Sequence, residues 1–321
     1  GASAMWSRHD PVKAAPLKKG SRIGLIAPGS PFSSEQLDRA VENLQSLELM
    51  VELGSHLKEE KGYLAGTDEQ RLSDMLEMFQ RDDIDGIWCI RGGYGCTRLL
   101  PYIDYGFIRK HPKVFVGFSD VTALHNAFFR RAGLITFHAP VASSTWSGYA
   151  EKYLRKMLFE GRRSTIQPTE KGKSAEDELV PFTLRGGTAE GRLSGGNLSL
   201  LSVLAGTEYG PSYKDRIVYI EEIGEKPYRI DRMLTHLFQA TDIREAAAVL
   251  LGRFVDCSPD EGDRSLSLRE TLELCLEELE CPVSYGWDFG HIDDQCTIPV
   301  GVRARIDTDD RLIHLTESPL R

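Results

Sequence analysis

Two periodicities organise the first half of the chain. Short apolar runs alternate with stretches in which apolar residues recur every three or four positions. Arg22-Ile23-Gly24-Leu25-Ile26 reads as a buried first strand, with further strands over 50–53, 86–90, 113–116 and 134–137. After the first, a Ser33/Gln36 capping box opens a helix with Leu37, Ala40, Val41 and Leu44 on one face. After the second, Thr67 and Gln70 do the same for Leu72, Met75, Leu76 and Phe79. Strands separated by helices of this length predict a parallel, doubly wound sheet. Such sheets carry their sites beyond the carboxyl ends of the strands.

The second half follows another pattern. Short strands over 180–184, 217–220 and 247–251 mix with helices near 198–204, 231–239 and 266–279. A closing hairpin is expected from 297–306 and 312–315, turning through Asp307-Thr308-Asp309-Asp310. The expectation is a smaller mixed α/β (α+β) domain. Composition shifts over 164–178, rich in Thr, Glu, Lys, Gly and Ser, which reads as a linker. The division is therefore an α/β domain over 18–163, a linker over 164–178 and a carboxyl-terminal domain over 179–321. Within the linker, Gly172-Lys173-Ser174 resembles the end of a phosphate-binding loop. Gln167 stands where that motif needs its first glycine, and no strand leads in.

Bulk properties narrow the function. With 321 residues, 41% hydrophobic content and a net charge of −9, the chain reads as globular and ill suited to a nucleic-acid backbone. No apolar run reaches membrane-spanning length. Gly1-Ala2-Ser3-Ala4, ahead of Met5, reads as an appended tail, and residues 1–20 hold no apolar segment of signal-peptide type. The six cysteines are scattered without a C-x-x-C pair, as expected in a reducing, cytoplasmic setting.

The chemistry begins at Gly117-Phe118-Ser119-Asp120, between an apolar run and the helical pattern of Val121, Leu124 and Phe128. A serine on a sharp strand-to-helix turn is lifted clear of the sheet, beside the next residue's N–H. Val121 stands where an α/β-hydrolase elbow has its second glycine, so this is another type of nucleophile turn. The plain alternative is a helix N-cap. Arg91-Gly92-Gly93-Tyr94-Gly95 follows the neighbouring strand and offers backbone N–H groups to a ligand, or forms only a tight turn. Arg98 breaks the dinucleotide fingerprint there. Glu221, after the strand over 217–220, is either a rigidly held carboxylate or part of a solvated acidic loop. His291, beside Gly290 on a loop, is either a swinging base or an exposed side chain. Together Ser119, Glu221 and His291 supply nucleophile, orienting acid and base across an interdomain cleft. His138, ending the fifth strand, competes for the base role. His125, six residues along the helix from Ser119, is turned away from it.

Tyr63-Leu64-Ala65-Gly66-Thr67-Asp68, Arg91-Gly92-Gly93-Tyr94-Gly95, Gly117-Phe118-Ser119-Asp120, Ser194-Gly195-Gly196-Asn197-Leu198, Glu221-Glu222-Ile223-Gly224-Glu225 and Gly290-His291 occur in that order. From about Gly20 to Gly301 the chain thereby resembles the LD-carboxypeptidase family of serine peptidases. The resemblance implies Ser119 as nucleophile, His291 as general base, Glu221 as its orienting carboxylate and an oxyanion hole from the N–H groups of Gly93 and Asp120. It implies release of terminal D-alanine from a murein tetrapeptide in cell-wall recycling, no cofactor or metal, and a homodimer. Ala139 and Glu222 depart from the usual glycine and aspartate of the family, which touches local turn geometry only. The substrate's free carboxylate is expected to meet the N–H groups near Gly92 and Gly93, or a cation such as Arg232. Two other readings stand beside this one. One is a self-immunity peptidase cleaving a peptidyl-nucleotide, with Trp146 or Trp287 as aromatic wall. The other is a non-catalytic binder of small peptides or sugars.

Overall fold

The computed structural model describes residues 11–169 and 179–321. The Gly1-Ala2-Ser3-Ala4 tail and the Gly172-Lys173-Ser174 stretch of the expected linker lie outside the described residues. In chain order the first part runs β1 (Arg22–Ile26), α1 (Ser34–Ser46), β2 (Met50–Leu53), α2 (Asp68–Gln80), β3 (Gly86–Cys89), α3 (Tyr105–Lys110), β4 (Val114–Gly117), α4 (Thr122–Ala132), β5 (Thr136–His138) and α5 (Gly148–Arg155). The second runs β6 (Thr165–Ile166), β7 (Phe182–Arg185), β8 (Thr188–Asn197), α6 (Leu198–Leu204), β9 (Arg216–Ile223), α7 (Pro227–Ala240), β10 (Ala248–Val255), α8 (Leu268–Leu276), β11 (Val283–Tyr285), β12 (Ile298–Val300), β13 (Arg303–Asp307) and β14 (Leu312–Leu315).

The first sheet is ordered β2-β1-β3-β4-β5-β12 and is parallel from β2 to β5. The chain steps outward from β1 to β2, then returns past β1 to β3, β4 and β5. The reversal opens a crevice at the strands' carboxyl ends. Both expected capping boxes form, at Ser33/Gln36 and Thr67/Gln70, each satisfying two orphan helix donors. The second sheet is ordered β6-β14-β13-β8-β9-β10-β11-β7, with β8 to β11 parallel at its centre. Helices α6, α7 and α8 cover its outer face. The inner faces of both sheets share one core, in which Ile23, Trp88 and Phe137 of the first meet Leu193, Tyr219 and Leu250 of the second. Burial of that common apolar surface sets one sheet against the other. Among the described residues no helix is long and apolar enough to cross a membrane.

Two short strands stitch the halves. The segment expected as a single hairpin arm over 297–306 breaks at Gly301, whose φ is 92°. Before the break, β12 pairs antiparallel with β5, Ile298 opposite His138. Beyond it, β13 pairs with β8 and β14. Pro299 has no N–H to donate, which suits an edge strand. The first residues of the expected linker are structured too, since Thr165 and Ile166 form β6 beside β14. We propose 18–163 and 179–321 as the folding units, with β6 and β12 as the seam.

Gly301 is the tightest point of that seam. A Cβ there would lie 2.3 Å from the Phe129 ring, on a backbone that L side chains rarely adopt. Gly301→Ala is expected to lower stability by about 2–4 kcal/mol, from overpacking and backbone strain together. Urea unfolding followed by tryptophan fluorescence measures it.

Candidate active site

β4 delivers Ser119. After Gly117 the backbone is extended at Phe118 and Ser119 then takes φ 67°, ahead of a 3-10 turn over Ser119–Val121 that leads into α4. A non-glycine residue in this left-handed region costs on the order of 1–3 kcal/mol, and such strain concentrates at functional sites. The helix-cap alternative fails here, since neither the 3-10 turn nor α4 has a side-chain cap. The Ser119 hydroxyl instead meets His291 Nε2 at 3.2 Å.

His291 arrives on the loop between β11 and β12, just past Gly290 at φ 130°. That loop is pinned from behind by a buried ion pair, Arg253 to Asp288 at 3.1 Å. The other ring nitrogen of His291, Nδ1, lies 2.9 Å from Glu221 Oε2. Glu221 belongs to no solvated loop. β9 runs past the apolar stretch to Ile223, and the Glu221 carboxylate is fully buried inside it. Asn197 compensates: its Nδ2 donates to Glu221 Oε1 at 3.1 Å and to Glu222 Oε1 at 3.0 Å. Ser199 donates to Glu222 Oε2 from its backbone N–H at 2.8 Å and its hydroxyl at 2.7 Å. Burial, reinforced by the Glu221 charge, pushes the Glu222 carboxyl up, against these hydrogen bonds. At His291 burial pulls the imidazole down, but the charge and hydrogen bond of Glu221, with Glu222 behind, raise it above its ordinary 6.5.

The glycine turn after β3 packs against this corner. A Cβ on Gly92 would sit 3.2 Å from Asp120 N and 3.3 Å from Ser119 Cβ, so any side chain there would press the two backbones apart by a few tenths of an ångström. Gly93 follows at φ 82°. Asp120 is nearly fully buried, and its Oδ2 accepts the N–H of Cys96 at 2.9 Å, tying the far end of the turn to the serine. Burial raises this carboxyl, with the hydrogen bonds from Cys96 opposing. Two supports were not singled out from sequence. Arg71, buried, donates to Pro28 O at 2.6 Å, Gly95 O at 3.0 Å and Gly66 O at 3.2 Å, and pairs with Asp68. Ser30 Oγ accepts the N–H of Tyr94 at 2.9 Å, while Ser30 N donates to Gly92 O at 3.0 Å. Neither stands out in sequence, since Arg71 reads as one more polar residue of an amphipathic helix.

The rival side chains are elsewhere engaged. His125 bonds Gly117 O and Thr136 Oγ1, each at 2.7 Å, and burial pushes it down to about 4. His138 is fully buried among the Phe118, Tyr219 and Phe289 rings, and neither of its nitrogens has a hydrogen-bond partner among the described residues. Arg232 lies with its guanidinium over the Tyr228 ring on α7. Trp287 is buried, donating to Ser284 Oγ, and the half-buried Trp146 stacks on Trp88. Among the described residues no group of three or more His, Cys, Asp or Glu is placed to hold a metal ion.

An imidazole braced by a buried carboxylate and facing a strained serine hydroxyl is built to take that proton as the oxygen attacks, which is the working part of a serine hydrolase. Comparison with known proteins narrows the class. Residues 23–139 match the LD-carboxypeptidase N-terminal domain and residues 190–306 the LD-carboxypeptidase C-terminal domain. The chain is 39% identical over 300 residues to the probable murein peptide carboxypeptidase of Bacillus subtilis (strain 168), covering 93% of this chain and 92% of that protein. It is 37% identical over 250 residues to the murein tetrapeptide carboxypeptidase of Pseudomonas aeruginosa, covering 76% and 80%. The solved microcin C7 self-immunity protein MccF matches with a TM-score of 0.88 at 26% identity, over 97% of this chain and 100% of that one. The chain belongs to the LD-carboxypeptidase family and is a serine-type carboxypeptidase, a hydrolase, which sets aside the non-catalytic binder.

The raised His291 value is directly measurable. An NMR titration of its ring is expected to give a pKa above the ordinary 6.5, and Glu221→Gln, which removes the charge that raises it, should lower it. Because the folded value is the higher one, protonation of His291 contributes stability that is fully present below about pH 6.5 and fades as pH rises through the folded value.

Proposed function

We propose that Ser119, His291 and Glu221 form a catalytic triad that cleaves the amide between an L-centre and a carboxyl-terminal D-residue. The substrate is a murein tetrapeptide losing terminal D-alanine during cell-wall recycling in the cytoplasm, and the enzyme works as a homodimer. The observation that carries the reading is the unbroken line from Ser119 Oγ through His291 to Glu221, at 3.2 and 2.9 Å. The names of the Bacillus and Pseudomonas relatives support the substrate class.

Glu221 accepts the Nδ1 proton of His291, leaving Nε2 with its lone pair towards the serine. Ser119 Oγ attacks the scissile carbonyl carbon and its proton passes to Nε2. The N–H groups of Gly93 and Asp120 receive the developing oxyanion. The C–N bond then breaks, and Nε2 returns the proton to the departing amine of D-alanine. Water, deprotonated by the same nitrogen, hydrolyses the acyl-enzyme and frees the tripeptide. The N–H of Gly92 serves the free carboxylate of the substrate. The peptidyl-nucleotide reading draws on the likeness to MccF; of its two candidate walls, Trp287 is buried in the core and Trp146 is half-buried with its ring stacked on Trp88.

The test is incubation with tetrapeptide muropeptides, following tripeptide and D-alanine by mass spectrometry. Ser119→Ala and His291→Ala should each lower kcat/KM by about 10⁴-fold or more, and the double variant should be little worse than either. Full activity in Ser119→Ala would end the assignment, and loss on replacing His138 but not His291 would move the base. In the wild type, kcat/KM should fall as pH drops through the pKa of His291, above about 6.5, since a protonated base cannot accept the serine proton.

A further inference from the structure

A row of arginines crosses the second sheet at the end away from the triad. Arg216 opens β9, Arg192 stands opposite it on β8, and Arg303 stands opposite Arg192 on β13. Directly opposed residues on paired strands share a face with Cβ atoms about 5 Å apart, and like charges so placed repel. Burial lowers the pKa of Arg216, and the Arg192 and Arg303 charges lower it further, against Asp242 and Asp215. A chain with net charge −9 has carboxylates in plenty to neutralise such a row. Arg192 donates to Gly301 O at 2.9 Å and lies 3.8 Å from Glu317. Among the described residues, Arg216 and Arg303 form no ion pair and their guanidinium groups donate no hydrogen bond. The Arg216 guanidinium lies over the Phe129 ring, 5.6 Å from its centre.

Arg216 also lines a cavity of about 570 Å³, bounded by the end of α4, the loop after α6 and the end of α7. That volume lies within the range of small-molecule sites, roughly 300–1,000 Å³. Ser194, Thr207 and Ser212 line it as well, their hydroxyls donating to Ser212 O, Leu204 O and Asp242 Oδ2, and Leu204 and Ala205 add an apolar patch. Asp242 lines it too. Its oxygens are taken by Tyr213 N at 2.9 Å and by Ser212 Oγ and Lys214 N at 3.2 Å. Tyr213, another lining residue, has a buried hydroxyl with no hydrogen-bond partner among the described residues. Arg216 is remote from the active site: Asn197 and Glu221 lie at the far end of the same two strands, roughly 16 Å from it by strand rise.

We propose that this cavity binds a small phosphomonoester, its phosphate gripped by Arg216 within the positive field of Arg192 and Arg303. A planar guanidinium placed over an aromatic ring, with no protein acceptor at its donor fork, can offer that fork to two phosphate oxygens. A dianion also relieves the repulsion within the row. The Leu204–Ala205 patch takes the organic part.

Isothermal titration calorimetry tests this with inorganic phosphate and with ribose 5-phosphate, at constant ionic strength in chloride. The wild type should bind ribose 5-phosphate with a dissociation constant below about 1 mM, and more tightly than inorganic phosphate. Its melting midpoint should rise by about 2 °C at ten times that concentration. Arg216→Met, which keeps the apolar stem on Phe129, should weaken binding at least about tenfold, and the exposed Arg303→Gln about two- to fivefold. Should Arg216→Met fail to fold, Arg303→Gln still gives the reading. No saturable binding up to roughly 10 mM would overturn the proposal. So would affinities unchanged in the variants, inorganic phosphate binding more tightly than the ester, or displacement by murein tetrapeptide, which would put the phosphate at the triad.

Discussion

A carboxylate stripped of all its water is the constraint from which the rest of this structure follows. Burying an unpaired charge costs several kcal/mol even after relaxation, so the protein must surround Glu221 with compensation. It does so from two sides, with the His291 ring at one oxygen and the Asn197 amide at the other. A second carboxylate, Glu222, crowds the same amide and is raised by burial and by its neighbour's charge, with Ser199 holding its far oxygen. The pair surrounds the imidazole with negative potential. That is why His291 stays above its ordinary pKa despite burial, whereas His125 and His138, buried without a carboxylate partner, fall below theirs.

Asn197 is also where the halves are joined. Its backbone N–H donates to Thr122 Oγ1 at 3.0 Å, and Thr122 begins α4 directly behind the serine turn. Asn126, one turn further along α4, donates to Gly195 O at 3.1 Å. The element that carries the nucleophile is thereby clamped to the strand beside the acid. On the other flank Arg71 ties the loops after β1 and β3 together, and Asp120 anchors the glycine turn from the serine side. Each contact is a polar group satisfied in a dry place, where geometry is more tightly held than at a hydrated surface.

Much of the first sheet was legible because its helices announce themselves with capping boxes and its strands are continuous apolar runs. The second sheet was less so. β8 passed unnoticed because Thr188–Asn197 contains glycines that read as breaks. In the sheet they admit close backbone approach, and a Cβ on Gly195 would collide with Tyr219 O. The end of β9 stayed ambiguous in sequence for a related reason: glutamates following an apolar run fit a solvated loop as well as a held carboxylate until a buried partner is known. The arm over 297–306 looked continuous, and only the Phe129 ring lying against Gly301 shows why it must turn there and change sheets.

The residues themselves determined the reactive types, their order along the chain and the sharp turn at Ser119, since these depend on local backbone chemistry and on motif spacing. Which histidine faces that serine was decided only by the tertiary structure. His138 and His291 differ little as sequence; what separates them is a carboxylate 70 positions away from one and absent from the surroundings of the other. Hydrogen bonds and charge compensation across such separations arise from packing two sheets on a common core, and no local pattern encodes them.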